Sequence, residues 1–108
     1  MEKIIAIFDI PGMTFKQYEI SIDELRKAEA LESKGQLYHV AGKDGTTGNM
    51  VVVDVWESQD ALNKFSEILL PILTKAGVNP VPPKIIPVNN IILNGTYFLK
   101  RKNVFEFK

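Results

Sequence analysis

Residues 37–58 read LYHVAGKDGTTGNMVVVDVWES, and this stretch decides the fold. Two strand-like runs occupy residues 37–43 and 49–56, and the second is rich in β-branched valine. The loop between them, residues 44–48, contains two glycines that can adopt the positive φ angles of hairpin loops. The stretch therefore predicts a β-hairpin at the centre of the chain.

An amphipathic helix is predicted on the N-terminal side of this hairpin. Thr14 and Gln17 have the spacing of a capping box, in which each side chain binds a backbone N–H at the start of a helix. Apolar residues then recur every three or four positions, with charged residues between them. Gly35 is the expected end of this helix.

A second amphipathic helix is predicted on the C-terminal side. Ser58 is a suitable N-cap, and Gly77 can end the helix. Pro71 lies inside the predicted helix, where it removes one backbone donor and crowds the preceding turn. We therefore expect a kink or a break near Leu70.

The outer segments complete the topology. Residues 4–8 predict a first strand that ends before the turn at Pro11-Gly12, and residues 84–88 predict a fourth strand. The order β-α-β-β-α-β is typical of a ferredoxin-like α+β domain, an antiparallel sheet with two helices on one face. This domain is expected to span residues 1–92. A C-terminal extension follows at 93–108, and its apolar runs at 97–99 and 104–107 predict a small hairpin.

The third predicted strand is apolar on both of its sides. Alternation places Val51, Val53 and Val55 on one side, and Met50, Val52 and Trp56 on the other. Two helices can cover only one face of the sheet, so a large apolar face is left for another partner. We therefore expect a homodimer in which a second copy covers that face.

Composition excludes several classes of partner and site. Thirteen Lys and Arg balance thirteen Asp and Glu, so no net charge would hold the protein on nucleic acid or on an anionic membrane. The chain has no cysteine, and its single histidine makes a poor metal site. No apolar run approaches the roughly 20 residues that span a bilayer. The expectation is a cytoplasmic protein without metal, nucleic-acid or membrane partners.

Several short stretches resemble a known group of proteins: IPGMT at 10–14, YHVAG at 38–42 and VDVWES at 53–58, with Pro71 and Ala76-Gly77 downstream. They resemble small bacterial proteins of the dimeric α+β barrel superfamily, which are grouped with the antibiotic-biosynthesis-monooxygenase-like proteins. The resemblance covers residues 1–92 and specifies fold better than function. The superfamily includes cofactor-independent oxygenases of aromatic polyketides, haem-degrading enzymes, isomerases and many members of unknown role, and the resemblance does not choose among them.

The same resemblance bears on cofactors. Haem-degrading members are expected to carry a histidine ligand on the second helix, and residues 62–76 contain none. Haem degradation is therefore disfavoured. A cofactor-independent oxygenase needs only a dry aromatic pocket, a base and a few hydrogen-bond donors, so we expect no cofactor.

Trp56 is the first candidate for a ligand-binding residue. It ends the third strand, where similar proteins place a pocket tryptophan, and its indole could stack on a flat ligand. The alternative is a core tryptophan packed under the helix. If a pocket lies between sheet and helices, Phe65 and Leu69 of the second helix are expected to line it together with Trp56.

His39 and Asp54 are the candidates for acid–base chemistry. His39 is the only histidine, and Asp54 lies among valines, where an inward-facing carboxylate must be paired or must have a raised pKa. Both also have structural interpretations, a hydrogen-bonded histidine and a rim aspartate. Whether His39 faces the same side as Trp56 depends on the hairpin register, and the loop does not determine it. Further polar candidates near a pocket mouth are Asp9, Tyr18 and Tyr38.

Three functional hypotheses follow from the sequence. The first is a homodimeric barrel with a small-molecule pocket for an aromatic ligand between sheet and helices. The second is a cofactor-independent monooxygenase or isomerase acting on an aromatic or quinone-like substrate, with His39 or Asp54 as the base. The third is an interaction module that uses the C-terminal extension.

Overall fold

The computed structural model describes residues 2–31, 34–93 and 96–97 of the chain. In chain order the elements are β1 Ile4–Ile10, α1 Phe15–Lys27, β2 Gln36–Lys43, β3 Met50–Trp56, α2 Gln59–Lys75, β4 Lys84–Pro87, β5 Ile92–Leu93 and β6 Thr96–Tyr97. The first four strands form one antiparallel sheet in the order β2-β3-β1-β4. The predicted ferredoxin-like α+β fold is confirmed.

One face of the sheet, the inner face, packs against both helices. Ile4 and Ala6 of β1 and Trp56 of β3 form a core cluster with residues of α1 and α2. A second cluster joins Ile10 and Met50 to the C-terminal half of α2. The opposite face, the outer face, carries the other alternating residues of each strand.

Helix α1 begins as predicted but ends earlier than predicted. Both hydrogen bonds of the capping box between Thr14 and Gln17 are present. The helix ends at Lys27, well before Gly35, so the expected end was wrong. The stop is a Schellman motif: the Ala30 N–H binds the Leu25 carbonyl at 2.8 Å, and Glu29 takes the left-handed position with φ of 58°. Leu25 and Ala30 are both buried in the core, and this contact stabilises a turn that lacks glycine.

Helix α2 begins and ends as predicted. The Ser58 side chain accepts the Ala61 N–H at 3.1 Å. At the other end Gly77 has φ of 84°, and the Val78 N–H binds the Leu73 carbonyl at 2.9 Å in a second Schellman motif.

The helix continues through Pro71 to Lys75, so the break expected near Leu70 is absent. Phe65 before the proline and Leu73 after it are both buried in the core. Packing on both sides of Pro71 therefore holds the helix together. The missing N–H affects only the Glu67 carbonyl, on an exposed turn.

The chain beyond β4 forms a short pairing of Ile92 with Tyr97 and of Leu93 with Thr96. The hairpin expected between the apolar runs at 97–99 and 104–107 lies outside the described residues. So does most of the segment on which the interaction-module hypothesis depends.

Candidate functional site

The register of the central hairpin brings His39 and Asp54 together. In the pairing of β2 with β3, His39 lies opposite Asp54 and Ala41 lies opposite Val52. Val52 and Trp56 are buried on the inner face, so Asp54 and His39 face the helices as well. Asp54 is only 3% exposed, whereas 31% of the His39 side chain is exposed. The pair therefore runs from the core towards the surface.

Three side chains form a continuous hydrogen-bonded series, which we call the relay: Tyr18, His39 and Asp54. The Tyr18 Oη lies 2.6 Å from His39 Nε2, and His39 Nδ1 lies 2.6 Å from Asp54 Oδ1. A carboxylate can only accept hydrogen bonds, so the proton of a neutral imidazole belongs on Nδ1. Nε2 is then an acceptor, and Tyr18 donates its hydroxyl proton to it.

Trp56 supports the relay from behind. Its Nε1–H donates to Asp54 Oδ2 at 3.2 Å, so each carboxylate oxygen has one donor. The indole is completely buried and packs against Phe65, with ring centroids 5.0 Å apart. Trp56 does not line the cavity described below. Its indole therefore does not form the wall on which a flat ligand was expected to stack. This position matches the alternative of a core tryptophan.

The Tyr18 hydroxyl is held in its neutral form. Burial raises the pKa of Tyr18 above its ordinary value, and the negative charge of Asp54 raises it further. The Tyr18 and His39 rings are nearly parallel, with an interplanar angle of 7°. Tyr18 is therefore suited to pass a proton on while remaining a phenol.

A cavity of about 290 Å³ lies between the inner face and the two helices, and the relay lines it. Phe65 and Leu69 line this cavity, as does Tyr18. The remaining lining residues are Phe8, Ile10, Met13, Ser21, Ile22, Leu25, Leu31, Gln36, Val52 and Leu73. Apolar side chains dominate this wall, as is typical of small-molecule sites.

Two polar candidates lie elsewhere. Tyr38 pairs with Val55, and Asp9 pairs with Val51, so both lie on the outer face. Asp9 accepts a hydrogen bond from Asn49 Nδ2 at 2.9 Å. Neither residue lines the cavity between the sheet and the helices, because the strand register turns both away from the helices.

Two polar lining residues were missed at the sequence level. Ser21 lies on the apolar stripe of α1, three residues after Tyr18, and this polar interruption was a usable signal. Its hydroxyl donates to the Gln17 carbonyl at 2.9 Å. Gln36 begins β2, and nothing in its local sequence distinguishes it from a surface residue.

The described residues offer no metal-binding cluster and no membrane-spanning helix. No three His, Asp or Glu side chains there come together in a way that could hold a metal ion. No helix in the described ranges is long and apolar enough to cross a membrane.

The fold is similar to that of several solved structures. SnoaB, a cofactor-independent oxygenase from Streptomyces nogalater, shares 12% identity over 84% of this chain and 97% of its own, with a TM-score of 0.62. A dimeric ferredoxin-like protein from an uncultured marine organism shares 14% identity over 87% of this chain and 94% of its own, with a TM-score of 0.58. A monooxygenase from the ActVA-Orf6 gene of Streptomyces coelicolor, in complex with nanaomycin D, shares 19% identity over 84% of this chain and 89% of its own, with a TM-score of 0.52.

Neither the family models nor the curated proteins contain a match to this sequence. The structural similarities extend over most of each chain, but identities below 20% show a common fold and nothing finer. The chain therefore has a ferredoxin-like α+β fold, which it shares with these two oxygenases and with the dimeric marine protein.

Proposed function

We propose that this protein binds a planar hydroxylated aromatic compound in its cavity and removes a proton from it. The observation that carries this proposal is the relay, with two contacts of 2.6 Å at the wall of an apolar cavity. Aromatic rings suit the apolar wall, and a hydroxyl group suits Tyr18.

The proton path follows from the donors and acceptors. A substrate hydroxyl donates to Tyr18 Oη while Tyr18 passes its own proton to His39 Nε2. The resulting imidazolium lies against the Asp54 carboxylate, which offsets the new positive charge. Tyr18 has one proton before and after the step, in agreement with its raised pKa.

We propose that the substrate anion then reacts with dioxygen, so that the protein acts as an oxygenase. Two structures with this fold are described as a cofactor-independent oxygenase and a monooxygenase. An aromatic anion is electron-rich enough to reduce dioxygen directly. For a ring methylene the balance is CH₂ + O₂ → C=O + H₂O: one oxygen atom forms the carbonyl, and the other leaves as water with both methylene hydrogens. The proton held by His39 then returns through Tyr18 to the hydroxyl group of the product.

The test is oxygen consumption with a hydroxylated anthrone as the probe. Wild-type protein is expected to accelerate oxygen uptake, and His39→Gln is expected to lower the rate by about 10²–10⁴-fold because the base is lost. Tyr18→Phe should also be slow. Tyr38→Phe makes the same chemical change on the outer face and should keep the wild-type rate. Equal rates for Tyr18→Phe and Tyr38→Phe would exclude the relay as the proton path.

Ligand binding without chemistry is the second candidate, favoured by the mainly apolar wall of the cavity. Trp56 is the only tryptophan and contacts Phe65, which lines the cavity, so its fluorescence should report a bound ligand. Saturable quenching by the anthrone without oxygen uptake would support this candidate. The affinity of the protein for the anthrone would then be the same in wild type and in His39→Gln.

We also propose that the protein acts as a homodimer through the outer face. This face carries a continuous set of apolar residues: Ile5, Ile7, Val40, Val51, Val53, Val55 and Ile86. No described helix packs on it, and Val40 is 47% exposed. The similar marine protein is described as dimeric. Stacking two such sheets would remove this apolar surface from water.

A further inference from the structure

The strand β2 has an irregularity at its start. Gln36 pairs with Trp56 and Tyr38 pairs with Val55. The β2 strand therefore has one extra residue, Leu37, between two positions that are adjacent on β3. In a regular strand, residues two apart share a face, which would place Gln36 beside Tyr38 on the outer face. The bulge at Leu37 instead turns Gln36 to the inner face, where it lines the cavity. Bulges that redirect one side chain often occur next to active sites.

The Gln36 amide is the one polar group of the cavity wall without a partner in the described part of the chain. The other polar lining residues are engaged: Ser21 binds the Gln17 carbonyl, and Tyr18, His39 and Asp54 bind each other. A primary amide can donate two hydrogen bonds and accept two. A half-buried amide beside an apolar cavity is therefore ready to bind a polar group of a ligand.

The pairing with β3 sets the spacing between the backbone positions of Gln36 and of His39, the relay residue on the same strand. Gln36 lies opposite Trp56 and His39 lies opposite Asp54, so the two positions are two residues apart along β3. Two residues of a strand span about 7 Å. A ligand that reaches both groups needs oxygen atoms at opposite ends of one or two fused rings.

We propose that Gln36 is a substrate-binding residue that holds a second oxygen of the ligand, opposite the oxygen at Tyr18. The cavity then takes aromatic compounds with oxygen atoms at both ends, of the dihydroxynaphthalene type. This inference rests on the proposed function, because it places the first oxygen at the relay.

The test compares two probes by calorimetry without oxygen: 2-naphthol, with one hydroxyl, and 2,6-dihydroxynaphthalene, with hydroxyls at opposite ends. Wild-type protein is expected to bind the second probe about fivefold to tenfold more tightly, the gain from one net hydrogen bond. Gln36→Met keeps the length of the side chain without its amide and should lose this preference, with 2-naphthol affinity unchanged. Gln36→Leu provides an independent check if the first variant folds poorly. Gln59→Met makes the same change on the exposed start of α2 and should keep the preference.

The outcomes separate the two proposals. A preference that persists in both Gln36 variants would overturn the role of Gln36 and leave the relay intact. If Tyr18→Phe changed neither affinity while Gln36→Met removed the preference, the relay would be wrong and the Gln36 contact would stand. Failure of both probes to bind wild-type protein would overturn both.

Discussion

At the residue scale, the two carboxylate oxygens of Asp54 have different partners, His39 Nδ1–H and Trp56 Nε1–H. An asparagine offers one acceptor oxygen, and its NH₂ group would face one of these donors. We expect Asp54→Asn to lower the free energy of unfolding by about 1–3 kcal/mol, because a buried donor loses its partner. Urea denaturation at neutral pH measures this change.

Asp23→Asn is the control for that measurement. Asp23 is 64% exposed in its pair with Arg26, so its replacement should change stability by less than about 1 kcal/mol. Equal losses for the two variants would show that Asp54 does not hold two donors in the core.

The raised pKa of Tyr18 predicts that the stability of the protein depends on pH in the alkaline range. Because its pKa is raised in the folded state, folding favours the neutral phenol. This contribution is complete below the ordinary tyrosine pKa of about 10 and is lost as the pH rises through the higher folded value. Wild-type protein should therefore lose stability in this alkaline range more steeply than Tyr18→Phe.

Denaturation curves at a series of alkaline pH values, with phenolate absorbance as a second readout, test this expectation. A wild-type curve parallel to that of Tyr18→Phe would contradict the burial of the Tyr18 hydroxyl.

At the element scale, the two helices end in the same motif with different residues in the left-handed position. Glu29 has φ of 58° and Gly77 has φ of 84°. A side chain in this region costs about 1 kcal/mol, which glycine avoids. Glu29→Gly is expected to stabilise the protein by about 0.5–1 kcal/mol, and Gly77→Ala to destabilise it by about 1 kcal/mol.

Thermal and urea denaturation compare these variants. Glu29→Ala retains a Cβ atom and should gain little, which separates the backbone effect from loss of the glutamate side chain. In Gly77→Ala the new Cβ would lie 3.5 Å from Gln17 Nε2, an ordinary contact, so the loss should come from the backbone. If Glu29→Gly left the free energy of unfolding unchanged, the turn that ends α1 would not be strained.

At the scale of the whole molecule, the outer face determines assembly. Val53 is central on this face, paired with Ile7 on one side and Val40 on the other. An aspartate there would have to be buried without a partner in a sheet-to-sheet dimer, which costs several kcal/mol. We expect Val53→Asp to weaken dimerisation at least about 100-fold.

Sedimentation velocity over a range of concentrations measures this shift. Ile20→Asp introduces the same charge at an exposed apolar position on α1 and should leave the dimer unchanged. A wild-type protein that stays monomeric at all concentrations would contradict the proposed dimer. A Val53→Asp variant as dimeric as wild type would place the interface elsewhere.

The sequence by itself determined the order of the elements and most of their boundaries. The capping box at Thr14, the N-cap at Ser58 and the stop at Gly77 are local, because each depends on residues within one turn of helix. The stop of α1 could not be found in this way. Glu29 tolerates its positive φ because Leu25 and Ala30 are held in the core, and that contact depends on the packed sheet.

The tertiary structure alone decided the site. His39 and Asp54 were predicted as separate candidates, but only the register of β2 on β3 places them opposite each other. A shift of one residue would have turned His39 to the outer face, and the hairpin loop does not specify the choice. The position of Gln36 on the inner face likewise depends on the bulge at Leu37. Local periodicity determines secondary structure, but the face that a side chain occupies depends on pairing between strands, which burial across the whole sheet selects.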